Sequence, residues 1–358
     1  MNAGLRAGFK AALEAWFNRV WWQVPRSAAA TLLQPLSWVY LLLLNLQGWW
    51  RRFGGAAPKA LPVPVLVVGN WVVGGAGKTP TVMAVVQALQ RRGHRPGVVS
   101  RGHGRVGSMA DGGIQEVHPD TPTQVSGDEP LLIRRRCAVP VWVGAQRMAA
   151  ATALCQAHPE VDVLVSDDGL QHHALPRAAE LVVFDERGVG NAYLLPAGPL
   201  RQPLPTALPA LSRVLYTSGR PSTALHGALA SRSINIAWPL AAWLSGRPDL
   251  VTQAQPLATL QAPALLAVAG IAAPEKFFGM LESTGLKIKR LPLPDHHDYA
   301  NLPWPQGTAA VITTEKDAIK LDPKRIGSTT VWVVPLNLTL PDDLIADLHN
   351  LLFPLAPP

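Results

Sequence analysis

Short apolar runs recur along most of this chain, separated by stretches in which apolar positions repeat every three to four residues. The runs at 63–68, 96–100, 139–143, 161–166, 181–184 and 214–217 are the length and composition of buried strands. Between them, residues 79–92 and 145–157 have the spacing of amphipathic helices. In the first of these, Val82, Val85, Val86 and Leu89 share one face and Gly93 stands just past the end. A second such series follows from residue 264, with strands predicted at 265–269, 311–314 and 331–334 and a helix at 274–283. Apolar strands alternating with amphipathic helices predict an α/β protein: a mostly parallel sheet with helices on both faces, plus a smaller C-terminal α/β domain. Ligands in such folds bind at the carboxyl ends of the strands. Residues 221–262 have mixed periodicity and assign to no element. The expected division is an N-terminal helical segment over 1–52, a core over 53–220, and a linker with the smaller domain over 221–358.

The N-terminus breaks this pattern. Residues 27–50 carry no charged side chain, residues 41–44 are all leucine, and Trp16, Trp21, Trp22, Trp38, Trp49 and Trp50 surround the stretch. A cleaved signal peptide is disfavoured because the run starts late and no small-residue cleavage site follows. The length suits a membrane span, although Gln34, Pro35, Ser37 and Asn45 interrupt it. Arg19 and Arg26 before it and Arg51 and Arg52 after it give little topological bias. A buried core helix is a further alternative. The reading adopted is a helix lying in the membrane interface or dipping into it, with Trp and Arg at headgroup depth and the basic segment 51–59 linking it to the core.

Charge sharpens the choice of partners. There are 32 Lys and Arg against 24 Asp and Glu, a net charge of +8, which favours anionic partners such as nucleic acid or an anionic membrane. Only Cys137 and Cys155 occur, with no metal-like spacing, which argues for a reducing compartment and against a disulfide scaffold. Many of the 34 prolines fall between residues 196 and 263, predicting long ordered loops there.

The chemistry concentrates where the first strand runs into Gly74-Gly75-Ala76-Gly77-Lys78-Thr79. Strand, glycine-rich turn and helix together present backbone N–H groups at a helix N-terminus, which suits a polyphosphate. Lys78 would reach the β- and γ-phosphates, and the Thr79 hydroxyl would ligate Mg²⁺. The strict phosphate-loop pattern asks for Gly at position 72, where this chain has Val72.

Three acidic motifs follow. The strand at 161–166 ends in Asp167-Asp168-Gly169, the place where a phosphate-loop enzyme sets its Mg²⁺-associated carboxylate. Gly127-Asp128-Glu129-Pro130 offers a second acidic pair in a loop, where the Asp could take a proton and the Glu could join a metal shell. Asp295-His296-His297-Asp298-Tyr299 admits three readings: a metal site, an acid–base site with His296 paired to a carboxylate, or a polar loop. Arg101 and Arg201 are candidate phosphate or substrate contacts.

These motifs, taken in order, resemble one family, the tetraacyldisaccharide 4′-kinases of lipid A biosynthesis. The matching segments are residues 68–70, 73–80, 100–102, 127–130, 167–172, 195–201, 295–297 and 313–318. The resemblance implies ATP- and Mg²⁺-dependent phosphorylation of the 4′-hydroxyl of an acylated glucosamine disaccharide 1-phosphate. It also implies a membrane lipid surface as a partner, on the cytoplasmic face of a Gram-negative inner membrane, with neither nucleic acid nor an obligate protein partner expected. Asp128 would be the base, assisted by His296, with Lys78 at the phosphates. Gly74, Gly75, Ala76, Gly77, Lys78 and Thr79 would bind ATP. Thr79, Glu129, Asp167 and Asp168 would serve the metal, and Arg101, Gln171, His172 and Arg201 the substrate. The chain departs from the family at His103 (usually Tyr), Ala192 (usually Gly) and Gln202 (usually Glu). Two other classes are disfavoured. A membrane-associated switch ATPase would carry Lys where this chain has Val73, and a basic binding module would leave the phosphate loop unexplained.

Overall fold

The structure, a computed structural model, describes residues 3–53, 60–105, 113–246, 253–260 and 265–354, with side chains from residue 12 onward except those of residues 51 and 52. Most of the basic segment 51–59 therefore lies outside the described residues.

The N-terminal segment forms two helices rather than one, α1 (Ala3–Trp22) and α2 (Ala28–Phe53). Over residues 28–50, α2 is long and apolar enough to cross a membrane. One of its polar interruptions, Ser37, has a packing reason. Leu33, Ser37, Tyr40, Leu41, Leu44 and Gly48 recur at helical spacing on the face turned to the protein, and Ser37 is buried. Leu32, Leu36, Val39, Leu42, Leu43, Leu46, Trp49 and Trp50 cover the exposed remainder. Trp21 and Arg26, expected near headgroups, instead bond to the core: Trp21 Nε1 donates to Pro196 O (2.8 Å) and Arg26 Nε to Asn191 O (3.0 Å).

The core runs β1 (Val65–Gly69), α3 (Lys78–Arg91), β2 (Pro96–Ser100), β3 (Gln115–Glu116), α4 (Thr123–Ser126), α5 (Asp128–Cys137), β4 (Val141–Val143), α6 (Arg147–Ala157), β5 (Val163–Asp167), β6 (Ala179–Phe184), β7 (Ser212–Tyr216) and β8 (Ala228–Leu229). Its eight strands lie in the order β3-β4-β2-β5-β1-β6-β7-β8, all pairs parallel except β3 with β4. Every residue of β1 is buried because successive side chains point to opposite faces and both faces are covered. Leu66 and Val68 join Val82, Val85, Val86 and Leu89 of α3 and Leu131 and Ile133 of α5. Val65 and Val67 join Ala150, Ala151 and Leu154 of α6 on the other side. Truncating a side chain such as Leu66, fully buried, costs about 2–5 kcal/mol.

The remainder comprises β9 (Ser231–Ser233), β10 (Ile236–Pro239), α7 (Leu240–Ser245), β11 (Gln255–Pro256), β12 (Leu265–Ala269), α8 (Pro274–Ser283), β13 (Ile288–Pro292), β14 (Ala310–Thr314), α9 (Glu315–Ala318), β15 (Thr330–Val334), β16 (Asn337–Thr339) and α10 (Asp342–Leu352). A second, six-stranded sheet has the order β11-β10-β15-β14-β12-β13, and β9 pairs antiparallel with β16 in a separate ribbon. The unassigned stretch 221–262 thus supplies β8, the ribbon strand β9, the edge strand β11 and β10 beside it. Two elements from beyond residue 220 belong to the first layer: β8 extends the first sheet, and α10 lays Leu344, Ile345, Leu348 and Leu352 into the core beside α3.

Candidate active site

The phosphate loop occupies residues 70–77, between β1 and α3. Gly74 (φ 100°) and Gly77 (φ 82°, the N-cap of α3) adopt left-handed conformations that suit glycine. Asn70, fully buried, ties the loop together: its Nδ2 donates to Gly74 O (3.1 Å) and its Oδ1 accepts from Lys78 Nζ (3.3 Å). Lys78 also donates to Gly74 O (3.2 Å) and stands 3.8 Å from Asp168. Burial lowers the Lys78 ammonium from its ordinary value, and the charge of Asp168 works against that shift. Thr217 Oγ1 donates to Ala76 O (3.1 Å) from β7's end. Val72, standing where the strict motif has glycine, is buried among Val65, Val67 and Leu200 and bridges to Leu200. The position is part of the core, so it holds an apolar side chain.

The acids of the β5 end arrive by register. Val68 of β1 lies opposite Asp167 of β5, so the strand that starts the phosphate loop is flanked directly by the strand that ends in two carboxylates. Asp167 is only 5% exposed and accepts from Ser100 Oγ at 3.2 Å. Burial first, then the negative charges of Asp168 and Glu129, push its carboxyl up to about 7. Arg201 and Gln171, expected at the substrate, form a chain of hydrogen bonds from Asp168 to the start of the phosphate loop. Arg201 Nη1 donates to Asp168 Oδ1 (3.1 Å) and Gln171 Oε1 (3.0 Å), and Gln171 Nε2 donates to Asn70 O (3.1 Å). Arg101 is exposed at the end of β2. His172 is half-buried, and its imidazole is lowered by burial and then by the charges of Arg147, Arg177 and Arg101. Arg147, buried at the start of α6, is a charged group that motif reading missed.

Glu129 and Asp128 correct a sequence expectation. They lie in the first turn of α5, not in a loop. Gly127 before them has φ 84° and ψ 156°, and a Cβ there would stand 3.0 Å from His103 O. That backbone delivers both carboxylates to a helix N-terminus, whose partial positive charge favours them. From the second sheet, His296 Nδ1 meets Asp128 Oδ2 at 2.9 Å and Lys320 Nζ reaches the same oxygen at 2.9 Å. Lys316 Nζ pairs with Glu129 (3.0 Å) and Asp295 (3.2 Å). Burial alone would raise the Asp128 carboxyl, but the His296 bond and the Lys320 charge hold it below the usual carboxylate range. The bond to Asp128 raises His296 in turn.

Of the three readings of residues 295–299, the acid–base reading asks for His296 paired to a carboxylate, and His296 is so paired, with Asp128. His297 instead meets Tyr299 edge to face, its carbonyl accepts from Lys320 (3.0 Å), and Asp298 accepts from Ala300 N (2.9 Å). Neither Lys316 nor Lys320 was assigned a role by sequence, although Lys316 sits in the matching segment 313–318. That segment forms the joint between the sheets. Thr314 caps α9, Asp317 accepts from Gly270 N (3.1 Å), and buried Glu315 pairs with Arg136 of α5 (2.8 Å).

Among the described residues, no three or more His, Cys, Asp or Glu side chains group tightly enough to hold a metal alone. Mg²⁺ usually takes one or two carboxylates, with phosphate oxygens and water completing its shell. A buried carboxyl raised by two neighbouring acids fits such a cation, because the added positive charge relieves the repulsion.

The family model described as tetraacyldisaccharide-1-P 4′-kinase matches residues 29–352. A tetraacyldisaccharide 4′-kinase of Methylibium petroleiphilum is 47% identical over 359 aligned residues, covering 98% of this chain and 97% of that protein. Another, from Leptothrix cholodnii, is 48% identical over 88% of this chain and 90% of its own length. Among solved structures, LpxK from Aquifex aeolicus in complex with ATP superposes with a TM-score of 0.70 at 25% identity, covering 90% of this chain and 99% of that one. With the phosphate loop, the paired acids and the Asp128–His296 contact in place, the match over nearly the whole length leads to one conclusion: the chain belongs to the tetraacyldisaccharide-1-phosphate 4′-kinase family.

Proposed function

We propose that the seam between the two sheets is where this kinase transfers the γ-phosphate of ATP to the 4′-hydroxyl of tetraacyldisaccharide 1-phosphate, a step of lipid A biosynthesis, with Asp128 as the base. The activity follows from the family, and the nucleotide and metal are ATP and Mg²⁺. The observation that carries the residue roles is the meeting of Asp128 with His296 and Lys320 across the seam, near enough to the loop for Glu129 to bear on both Lys78 and Asp167.

Phosphoryl transfer asks for positioning and charge stabilisation more than covalent help. Lys78 and the N–H groups of Gly74, Gly75, Ala76, Gly77 and Thr79 would receive the triphosphate, Lys78 exchanging its contacts with Asn70 and Gly74 for phosphate oxygens. Thr79, Asp167 and Asp168, with Glu129 nearby, would hold Mg²⁺, which when bound neutralises charge on the phosphates. Asp128, ionised and oriented by His296, accepts the proton of the 4′-hydroxyl as the phosphoryl group departs ATP. Arg101 and His172, with Arg147 beside them, form the basic surface for the sugar phosphate, while Arg201 and Gln171 keep Asp168 and the loop in place. The His103 ring lies 5.9 Å from that of His296 and tilted to it by 51°, where the family's Tyr would stand.

The functional parts are then the membrane-side helices over 1–52, the kinase core over 53–220 and the lobe over 221–358, whose α10 returns to the core. The apolar helix α2 associates the protein with a membrane. We place it on the cytoplasmic face of the inner membrane, where ATP and an embedded acceptor meet, acting without nucleic acid or an obligate protein partner. The test is transfer from γ-labelled ATP to the acylated disaccharide 1-phosphate in detergent micelles. Label should appear in the lipid with Mg²⁺ and vanish with Asp128→Ala or without Mg²⁺. Steady ATP hydrolysis with no labelled lipid would replace this reading with a switch ATPase, and full transfer by Asp128→Ala would remove Asp128 as the base.

A further inference from the structure

The connection from β6 to β7 lies between the membrane-side helices and the phosphate loop and bonds to both. On the helix side, Asn191 N donates to Trp21 O (2.8 Å), Asn191 Nδ2 to Val20 O (3.2 Å), Ser37 Oγ to Leu194 O (2.8 Å) and Tyr40 Oη to Arg201 O (2.9 Å). On the loop side, Arg187 Nη2 donates to Gly75 O at 2.9 Å, and both Nη atoms lie 3.7 Å from where a Cβ on Gly74 would stand.

Two groups hold that guanidinium. Asp185, 2% exposed at the end of β6, accepts from Arg187 Nε (2.9 Å) and pairs with Nη2 (2.7 Å). The last residue of α1, Trp22, lies under it, with Arg187 Cζ 4.4 Å from the ring centroid. Trp22 is half-buried against the core cluster that contains Val65 and Val67, and its indole N–H is buried without a partner. The ring is therefore used as an apolar and π face rather than as a headgroup anchor.

We propose that Arg187 is a positioning residue for ATP: it fixes the Gly74–Gly75 turn, and Trp22 fixes Arg187, so the seating of the membrane-side helices sets how the loop receives the triphosphate. The physical link is the rigidity of the peptide plane. Holding Gly75 O toward Arg187 points the N–H of Ala76 the opposite way, because a trans peptide keeps the two antiparallel. A loop whose N–H groups are already aimed loses less entropy when the anion arrives. Arg187 also adds a cationic charge at the turn, with 31% of its side chain exposed. This inference rests on the loop binding ATP and is independent of which residue acts as base.

The experiment uses the full chain in detergent micelles and measures MgATP affinity at equilibrium with no lipid acceptor, then the KM values for ATP and for the lipid. Arg187→Gln should weaken ATP binding about ten-fold through loss of a charge-assisted bond to the loop, with the lipid KM unchanged. Arg187→Lys should recover only part, since an ammonium can take the place of Nη2 but supplies neither the separate Nε–H bond to Asp185 nor the planar face that lies on Trp22. Trp22→Leu should weaken ATP binding roughly three-fold by removing the ring face, and Trp22→Phe should restore most of it. Unaltered ATP affinity in Arg187→Gln or Trp22→Leu overturns the proposal, as does a Trp22→Leu variant that changes the lipid KM alone. Should the Gln or Leu variants fail to fold, Arg187→Lys decides, and ATP affinity equal to that of the unaltered protein overturns the proposal. Failure of the unaltered protein to label lipid would strike the kinase reading and leave the ATP-affinity result standing.

Discussion

Lys320 Nζ stands 2.9 Å from Asp128 Oδ2, the same oxygen that His296 Nδ1 approaches at 2.9 Å, and only 4% of the lysine side chain is exposed. The two contacts come from one lobe and the carboxylate from the other, so the proposed base is oriented only when the lobes meet. A carboxylate held at two points loses the rotation that would carry it off the acceptor hydroxyl. Replacing Lys320 with Met keeps the length and apolar stem but releases one of the two points. The expected outcome is a fall in kcat of about 10- to 100-fold with the KM for ATP nearly unchanged, read from steady-state kinetics. A variant with unaltered kcat would show that the pair only joins the lobes.

Asp167 sets a pH dependence on metal and nucleotide binding. Its carboxyl, raised to about 7, keeps its proton below that pH in the metal-free protein. An unfolded chain ionises the same group near 3.9. The mismatch therefore destabilises the metal-free fold progressively as pH rises from about 4 toward 7, and a bound cation removes that penalty by favouring the ionised form. MgATP binding should release a proton near neutrality, and its thermal stabilisation should grow as pH climbs through 7. Calorimetry at pH 6.5 in two buffers of different ionisation enthalpy checks this. Equal heats in both buffers, or proton release that persists in Asp167→Asn, would count against it.

What the sequence made legible and what it concealed divide along physical lines. The strand β1, the helix α3 and the acidic end of β5 were readable because each is buried on both faces or carries a full apolar stripe, and the chemistry sits at their ends. The edge strands β13 and β11 are largely exposed and β10 is only half-buried, so their apolar signal is weak. Residues 127–130 read as a turn because Gly-Asp and Pro are turn residues, yet Pro is also at home in the first turn of a helix. Lys320 had no local signal and Lys316 only its place in the matching segment 313–318: their carboxylate partners Asp128 and Glu129 lie far upstream in the chain, and only the docking of the two sheets brings them together. Arg201 and Gln171 stood out in the sequence by their motifs, but the chain of bonds from Asp168 through Arg201 and Gln171 to Asn70 is one that no spacing reveals.

One departure from the family pattern has a backbone consequence. Ala192, where relatives of the resembled family usually carry Gly, adopts φ 60°. A Cβ in the left-handed region costs roughly 1–2 kcal/mol, partly offset by the greater freedom a Gly would lose on folding. Ala192→Gly should therefore raise stability by about 0.5–1 kcal/mol, visible as a shifted midpoint in chemical unfolding with unchanged slope. A lower midpoint would mean that the alanine methyl makes packing contacts worth more than the strain.

The exposed face of α2 supplies the remaining prediction. Leu42, Leu43, Leu46, Trp49 and Trp50 are each more than half exposed on the side away from the core, while Ser37 and Tyr40 bond to residues 194 and 201 on the other. Burying one such leucine in a bilayer is worth about 1.5–3 kcal/mol. Leu43→Glu with Leu46→Glu also adds two carboxylates that would have to enter an apolar medium, so partition onto lipid vesicles should fall by at least about 100-fold. The face opposite is untouched, and the β6–β7 connection should keep its contacts with α1 and α2. Sedimentation with vesicles should therefore show release from the membrane, and the KM for vesicle-embedded acceptor should rise, while MgATP affinity in detergent stays at its original value. Loss of ATP affinity in this double variant would mean that the apolar face itself holds the helix pair against the core. Retention on vesicles would mean that other parts of the surface carry the attachment.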